Sequence, residues 1–555
     1  MHLFASLYLL VGMLVSVGLS AWALYSIWRG HKTSPVWLER GHILVTLLVA
    51  AAGAVLLLAL VSKDFSLAYV MSHTDSALPW YYAFSAFWAG QEGSLLFWAL
   101  VVSIMGAIWI ASPGYRKMPL EIKQGYWMFF FAFQALFLLI LSTVSNPFLQ
   151  LAPAPDSGSG LNPLLQNLGM IFHPPVLFMG YAGFTVPVCV ALASGISEAD
   201  YAWLRQVRNW VLVAWVFLTA GIVIGAWWSY MELGWGGYWA WDPVENASLL
   251  PWLTASAFLH TSLIGRRHRV LGKTNIALLG LTLVMCFFAT LLTRSGILQS
   301  IHAFGDNEAG MIFLGLILFT LILVFLVAAG SPRTGEREPL GDVFSRQGII
   351  VLLTWLLLAL TAVITGATLF PTFAEPLTGA SRGLNAGFYN RVCLPLFTAV
   401  FLLLALCPGM KWKRPGWDRV LAIAAPGAFL ATAFLMWIMG MSQPFPLLAA
   451  ALVVSAFASV AVTGVRQWRQ GLGRRGWSVW GIHLGLCLLA LGVAVSGPYK
   501  LVSEVELSQG ENLRIGEYNL TFQGLEEERT QRYMAWRARM EVSRGEKVLG
   551  TLSPE

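Results

Sequence analysis

Apolar residues fill long unbroken blocks for most of the chain, and polar residues gather in short intervals between them. A run of about 18 or more apolar residues reads as a spanning helix, because a hydrocarbon core of roughly 30 Å is crossed at about 1.5 Å per residue. The pattern predicts fourteen such spans, at about 3–27, 43–61, 93–111, 126–144, 176–194, 210–228, 249–264, 276–292, 311–329, 348–370, 392–407, 420–438, 446–465 and 479–496. The first has no basic leader and no small-residue cleavage site, so it is expected to be a retained helix rather than a signal peptide. After Ser496 the pattern changes. Alternating stretches at 519–522 and 535–542, with turns at Gly510 and Gly516, predict a small β-rich domain over 497–555, without a clear final strand before Glu555.

Composition agrees with this division. Charged residues make up 11% of the 555 and the mean hydropathy is +0.67, against roughly 25% charged residues in soluble domains. The five cysteines (189, 286, 393, 407 and 487) lie in or beside apolar blocks and form no Cys-x-x-Cys pair. They read as small buried residues, which excludes thiol–disulfide exchange as the chain's own chemistry. The absence of Cys-x-x-Cys-His also excludes a c-type cytochrome.

The net charge of +7 is unevenly placed. Loops after odd-numbered spans hold 23 of the 35 Lys and Arg residues, and the tail holds 8. The opposite loops hold Lys63, Arg294, Arg382 and Arg391. By the positive-inside rule the first set is cytoplasmic, which places the N-terminus and the 497–555 domain outside. The basic charge is therefore an orientation signal, not a nucleic-acid footprint. The expected fold is an all-α polytopic membrane protein of about fourteen helices, with a helical domain over 1–496 and a small extracytoplasmic β domain at its C-terminus.

Six of the 25 tryptophans fall between Trp227 and Trp252, in WWSYMELGWGGYWAWDPVENASLLPW. An interfacial aromatic belt accounts for Trp227, Trp228 and Trp252. It leaves Trp235, Gly236, Gly237, Tyr238, Trp239, Trp241 and Asp242 unexplained, in an outer loop spanning about 229–248. Several large aromatics with one carboxylate, and glycines that allow close backbone approach, suit a planar macrocycle such as haem. A packed structural loop is the alternative.

The segment from Trp235 to Asp242 resembles the tryptophan-rich "WWD" signature of haem-handling proteins of cytochrome c maturation. Asn162–Asn167 leading into Ile171-Phe172-His173-Pro174-Pro175, Trp88–Ser94 and Leu292–Gly296 resemble the haem lyase F subunits of the System I machinery. The fourteen spans are similar to that large subunit rather than to the shorter haem-export subunit sharing the signature. The family closes with a further span after its outer domain, so the resemblance implies a chain ending inside that domain.

Four histidines stand apart. His260 and His483 each lie about four residues from the cytoplasmic edge of a predicted span, roughly 6 Å deep. Ionisable side chains at matched depth in apolar helices are costly and usually functional. Equal depth is what two axial ligands of one haem require, and Gly481 and Gly485 leave room for a porphyrin. A hydrogen-bonded bundle histidine beside close-packing glycines is the alternative. The resemblance implies that His260 and His483 ligate a stably bound b-type haem. His173, before span five, and His302, after span eight, bracket the tryptophan loop. The resemblance implies that they take the iron of the substrate haem. Arg294 either pairs with a haem propionate or marks the end of span eight. His2, His31, His42, His73 and His268 are expected to have no ligand role.

What the resemblance implies is a cytochrome c haem lyase of the bacterial inner membrane. It attaches haem vinyl groups to the Cys-x-x-Cys-His thiols of apocytochrome c on the outer face, where the iron is expected to be ferrous. Its implied partners are a haem chaperone, apocytochrome c, thiol-reducing and apocytochrome-binding subunits, membrane lipid and a quinol donor for the inner haem. A haem relay without ligation activity shares the same features. An ion-translocating subunit would need a chain of mid-membrane charges that these spans lack, and a structural scaffold would leave the matched histidines unexplained.

Overall fold

The computed structural model describes the whole chain except residues 1, 32–33, 198–200, 234–236, 297–308, 333–338, 380–382, 442, 472–473, 499, 502, 504 and 530–533, and the side chains of 377–378 and 474–476. Among the described residues, fourteen helices are long and apolar enough to cross a membrane. They are α1 (His2–Trp28), α2 (Val36–Ser62), α3 (Gln91–Ala111), α4 (Leu120–Ser142), α5 (Leu168–Ile196), α6 (Trp203–Glu232) and α7 (Pro243–His268). The second seven are α8 (Gly272–Arg294), α9 (Ala309–Gly330), α10 (Arg346–Thr378), α11 (Ala386–Leu406), α12 (Leu421–Ile438), α13 (Pro444–Arg469) and α14 (Arg474–Ser496). Hydrocarbon leaves a segment no way to satisfy its backbone except internally, so each apolar block becomes a helix.

The helices outrun the predicted apolar cores. α5 begins at Leu168 rather than 176, α6 at Trp203 rather than 210, and α10 continues to Thr378 rather than 370. Polar helix turns are tolerated at the headgroup level, so hydropathy marks where a helix is buried in lipid and not where it ends. His42, predicted at the edge of span two, therefore lies well inside α2. It is fully buried beside Trp127 and Phe130, with Nε2 2.9 Å from the Ser103 carbonyl.

Two compact units are resolved, 1–400 with 410–416, and 401–409 with 417–555. In the first, the α5–α6 contact is made by glycines. A Cβ on Gly180 would lie 2.7 Å from the Leu218 backbone, one on Gly183 2.7 Å from the Ala214 Cβ, and one on Gly221 2.8 Å from Leu177 Cα. Without a hydrophobic driving force between helices in lipid, such close backbone approach is what holds them. The aromatic interior includes Trp98, Trp127, Phe184 and Phe287, all essentially buried. Leu3, Leu14, Leu318 and Phe325 point outward from α1 and α9, as lipid-facing residues do.

In the second unit, Ala405, Val453, Ala456 and Cys487 form a small core among α11, α13 and α14. The tail is an antiparallel meander, β1 (Asn512–Ile515), β2 (Tyr518–Arg529), β3 (Met534–Arg544) and β4 (Lys547–Leu552), in sequence order. Gly516 and Gly545, both at φ +59°, turn the first and last hairpins. β4 corrects the expectation of no final strand. All six of its residues are exposed, so it lacks the apolar alternation that marks a half-buried strand.

Candidate functional site

His173 does not precede its helix. α5 begins at Leu168, capped by Asn167, whose side-chain oxygen accepts the Gly169 N–H at 2.6 Å and whose amide bonds Glu232 at the end of α6. His173 is thus in the second turn of α5, against α6. Its Nδ1 donates to the Gly221 carbonyl at 2.8 Å. A carbonyl can only accept, so Nδ1 carries the hydrogen and Nε2 carries the lone pair. The ring lies in a notch at Gly225, where an added Cβ would be 2.6 Å from Cε1. Gly225 is seven residues, about 10 Å of helix, before α6 ends at Glu232 and the tryptophan loop begins.

The prolines after His173 act on the backbone. Pro174 has no N–H to give the Met170 carbonyl, and the Trp88 indole occupies it at 2.8 Å. Further along α5, Pro187 likewise frees the Gly183 carbonyl, which accepts the Trp210 indole at 2.9 Å. Trp88 thereby brings the segment 88–94 to the start of α5.

That segment also meets the end of α8. Arg294, counted with the outer basic residues and read alternatively as the end of span eight, is the last residue of α8 and is 2% exposed. Its guanidinium donates to Ser94 Oγ at 2.6 Å and to Thr293 Oγ1 at 2.8 Å. Glu92, Tyr69 and Tyr181 are the ionisable groups whose fields reach it. The Tyr69 hydroxyl lies 2.9 and 3.1 Å from the Ala86 and Phe87 carbonyls and accepts the Gly90 N–H at 3.0 Å. Burial pushes this phenol above its ordinary range. His73, in the short helix Ala68–His73, stacks on Tyr69 with ring centroids 4.3 Å apart. Its Nδ1 donates to the Tyr69 carbonyl at 2.8 Å, and burial holds its pKa below the ordinary value of 6.5. A Cβ on Gly90 would sit 2.3 Å from His73 Nε2. Two glycines flanking an acid, Gly90 just before α3 and Gly93 in its first turn, were the sequence signal for this close approach.

Of the tryptophan loop, Trp235 and Gly236 lie outside the described residues, and so does His302. Tyr238, Trp239 and Trp241 are half-buried. The Trp239 and Trp241 rings are perpendicular at 5.9 Å. Trp241 has φ +61°, a conformation uncommon for a bulky residue. Residues of α11 and α7 hold it there, the latter braced by α10. Its indole stacks on Tyr389 of α11 at 5.0 Å and 8°, and donates to Asn390 Oδ1 at 2.9 Å. Its carbonyl accepts the Asn246 amide at 3.0 Å, and that amide also reaches Thr368 of α10 at 3.1 Å. Asp242, expected to be the carboxylate handle of the aromatic surface, is the N-cap of α7. It accepts the Val244 N–H at 3.0 Å, while the Glu245 carboxylate accepts the Ala240 and Asp242 N–H groups at 2.8 and 3.2 Å. This capping box, with Pro243 at the first helical position, fixes where the loop ends. Sequence reasoning missed Asn246, close to Trp241 in the chain, and Tyr389, Asn390 and Thr368, which lie up to about 150 residues from it.

His260 and His483 belong to different units, in α7 and α14. They lie eight and nine residues from the basic ends of their helices at His268 and Arg474, a near-equal spacing. Each Nδ1 donates to the carbonyl four residues back, Ser256 at 2.7 Å and Val479 at 2.8 Å. This tautomer presents Nε2 as the lone-pair atom, the arrangement usual in metal-ligating histidines. A Cβ on Gly481 or Gly485 would meet nothing within 4 Å, but residues two positions either side of His483 lie on the opposite side of α14, so this open space does not border its ring. Each imidazole, taken by itself, has the donor chemistry of a haem-ligating histidine.

The family described as Cytochrome C assembly protein matches residues 88–299, which contain His173, the tryptophan loop, His260 and Arg294. The chain is 34% identical to the cytochrome c-type biogenesis protein CcmF of Pseudomonas aeruginosa, over 99% of its own length and 85% of that protein's. It is 33% identical to CcmF of Escherichia coli, over 92% and 80%. A solved structure of the cytochrome c haem lyase CcmF superposes with a TM-score of 0.80 at 27% identity, covering all of this chain and 86% of that one.

Proposed function

Because the chain belongs to the CcmF family of cytochrome c-type biogenesis proteins, multi-pass proteins of the inner membrane with a haem-handling role in cytochrome c maturation, we propose that it joins haem covalently to apocytochrome c at the tryptophan loop. The observation that carries this reading is the fixed tautomer of His173, at the foot of that loop. The Gly221 carbonyl and the Gly225 notch orient the ring with Nε2 as its only lone-pair nitrogen.

In this reading substrate haem lies on the loop formed by Trp235, Gly236, Tyr238, Trp239 and Trp241, and Nε2 of His173 and a nitrogen of His302 take its iron. Asp242 sets the end of the loop by capping α7, and Arg294 ties the 88–94 segment to α8 beside it. The apocytochrome presents two reduced thiols. Each S–H adds across one vinyl group, a C–S bond forming at one carbon while the proton ends on the other, so no net oxidation or reduction accompanies the bond. No protein nucleophile is required. The chain contributes orientation, making two bimolecular additions effectively unimolecular. A haem held by His260 and His483 would supply single-electron transfer, with quinol as the donor class. Haem chaperone, apocytochrome and the thiol-reducing and apocytochrome-binding subunits are the partners this chemistry needs. The same reading places the loop, the N-terminus and the 497–555 sheet on the outer face, in line with the basic loops at the opposite end.

The test compares two pairs of variants. His260→Ala and His483→Ala should remove a b-type absorption spectrum from the purified protein. His173→Ala and His302→Ala should preserve it and abolish holocytochrome c formation. Normal holocytochrome output from His173→Ala refutes the proposal; bound haem delivered to the loop but never transferred to apocytochrome by the unaltered protein would establish a relay instead.

A further inference from the structure

The end of the bundle opposite the tryptophan loop concentrates arginine that the proposed chemistry does not use. α6 begins Trp203-Leu204-Arg205-Gln206-Val207-Arg208, and α7 ends Gly265-Arg266-Arg267-His268. The two segments touch, since a Cβ on Gly265 would lie 2.9 Å from Leu204 Cδ1. Arg208, Arg267 and Arg205 are close enough for their charges to act on Arg266, and among the described residues no carboxylate does so. Arg208 and Arg266 are half-buried, and the Nε of each is closed off from solvent with no hydrogen-bond acceptor among the described residues. Glu198 and Asp200 fall outside that description.

Four like charges gathered at one helix junction repel one another, and a buried guanidinium N–H without an acceptor is unfavourable. Both costs vanish if an oxyanion occupies the junction. Arginine forks match tetrahedral phosphate in particular. The junction also lies at the ends of two spanning helices, where headgroups sit, and basic pockets between helices at that level bind acidic lipids. The same end carries an apolar cleft of about 380 Å³ between the ends of α5 and α9, lined by Gly195, Ile196, Leu326, Val327, Gly330 and Pro332. A cleft of that kind accommodates an acyl segment, which a free phosphate does not have.

We propose that the junction of α6 and α7 binds the phosphate of an acidic phospholipid through Arg205, Arg208, Arg266 and Arg267. The lipid is a structural ligand of the end opposite the catalytic loop. The Arg267 guanidinium, held over the Trp412 ring at 4.4 Å, stands at the rim of the site. Trp412 is itself fixed by a 2.8 Å bond from its indole to His268 Nε2.

The full-length protein in detergent is titrated with phosphatidylglycerol, with phosphatidylcholine and with inorganic phosphate, and its thermal midpoint is followed. Phosphatidylglycerol should raise the midpoint saturably, and the other two should not. Arg208→Gln with Arg266→Gln should weaken the apparent affinity roughly thirtyfold, the effect of two arginines near a charged headgroup. Arg205→Gln with Arg267→Gln removes exposed side chains, does not threaten folding, and should weaken binding in the same direction. Lys547→Gln, in the exposed strand β4, should leave it unchanged. No response of the unaltered protein to phosphatidylglycerol, or an equal response in both double variants, overturns the proposal. Equal stabilisation by inorganic phosphate overturns the lipid assignment and leaves a small-anion site.

Discussion

Replacing Gly225 by alanine tests whether the position of the His173 ring matters, because it touches nothing else of the proposed chemistry. The new methyl carbon would stand 2.6 Å from Cε1 and 2.8 Å from Nδ1, against about 3.5 Å for an unstrained carbon contact. The ring must therefore retreat by about 1 Å, and its 2.8 Å bond to the Gly221 carbonyl stretches or breaks. Losing that bond costs about 1 kcal/mol, and residual overlap adds about 1–3 kcal/mol. Alanine's better helix propensity returns about 1 kcal/mol. The net loss, about 1–3 kcal/mol, is small against the roughly 5–15 kcal/mol typical of a folded domain, so the variant should accumulate. Function should suffer far more, since displacing a positioning group by about 1 Å costs on the order of a hundredfold. The assay is covalent haem on a reporter cytochrome c, normalised to protein level and to the b-type spectrum. Gly315→Ala, whose Cβ would meet nothing within 4 Å, is the neutral control. Normal haem attachment by Gly225→Ala, at normal protein level, would show that the orientation of His173 is irrelevant.

Trp241 should be equally sensitive to its anchor. Tyr389→Phe keeps the stacked ring and should preserve output, whereas Tyr389→Ala removes about 0.5–1.5 kcal/mol of ring contact and frees a residue in a strained conformation; equal output from both variants would sink this reading. His73 should make stability pH-dependent. Its folded pKa lies below the ordinary 6.5, so the unfolded chain binds the proton more tightly, and the contribution is complete above about pH 6.5 and declines as pH falls below it. His73→Gln should flatten the thermal midpoint between pH 7 and pH 5; an unchanged slope would remove His73 as its source. Arg294→Ala strips two charge-assisted hydrogen bonds from a buried site and should cost about 3 kcal/mol or more, read as a lowered thermal midpoint; a midpoint within a degree of the unaltered protein would contradict it.

The fourteen spans were legible because a helix in hydrocarbon needs a long apolar run, and nothing else in this sequence produces one. Their ends were not, because ends are set by caps. Asn167 and Asp242 place two of the ends that frame the site, and neither shows its capping role until its N–H partner is seen. His173 was legible as a candidate from its motif, while its tautomer and notch belong to α6 and had no local signature. Arg294 and Ser94 were each conspicuous, but their contact spans 200 residues and exists only in the packed bundle. His73 read as bland because the stacking partner and the glycine that admits it are tertiary. Asp242 stood out by composition as the charge of the aromatic surface, and its bond to the Val244 N–H adds a capping role that composition does not show.

The two indole bonds to α5 have a consequence for how this helix can vary. Trp88 and Trp210 grip main-chain oxygens, at Met170 and Gly183, that Pro174 and Pro187 have left unclaimed. A grip on backbone is indifferent to the side chain that backbone carries. Position 170 is therefore open to other apolar residues over evolutionary time without loosening the fastening, whereas losing either tryptophan, or restoring an amide hydrogen at either proline, undoes one rivet of the strut that carries the imidazole.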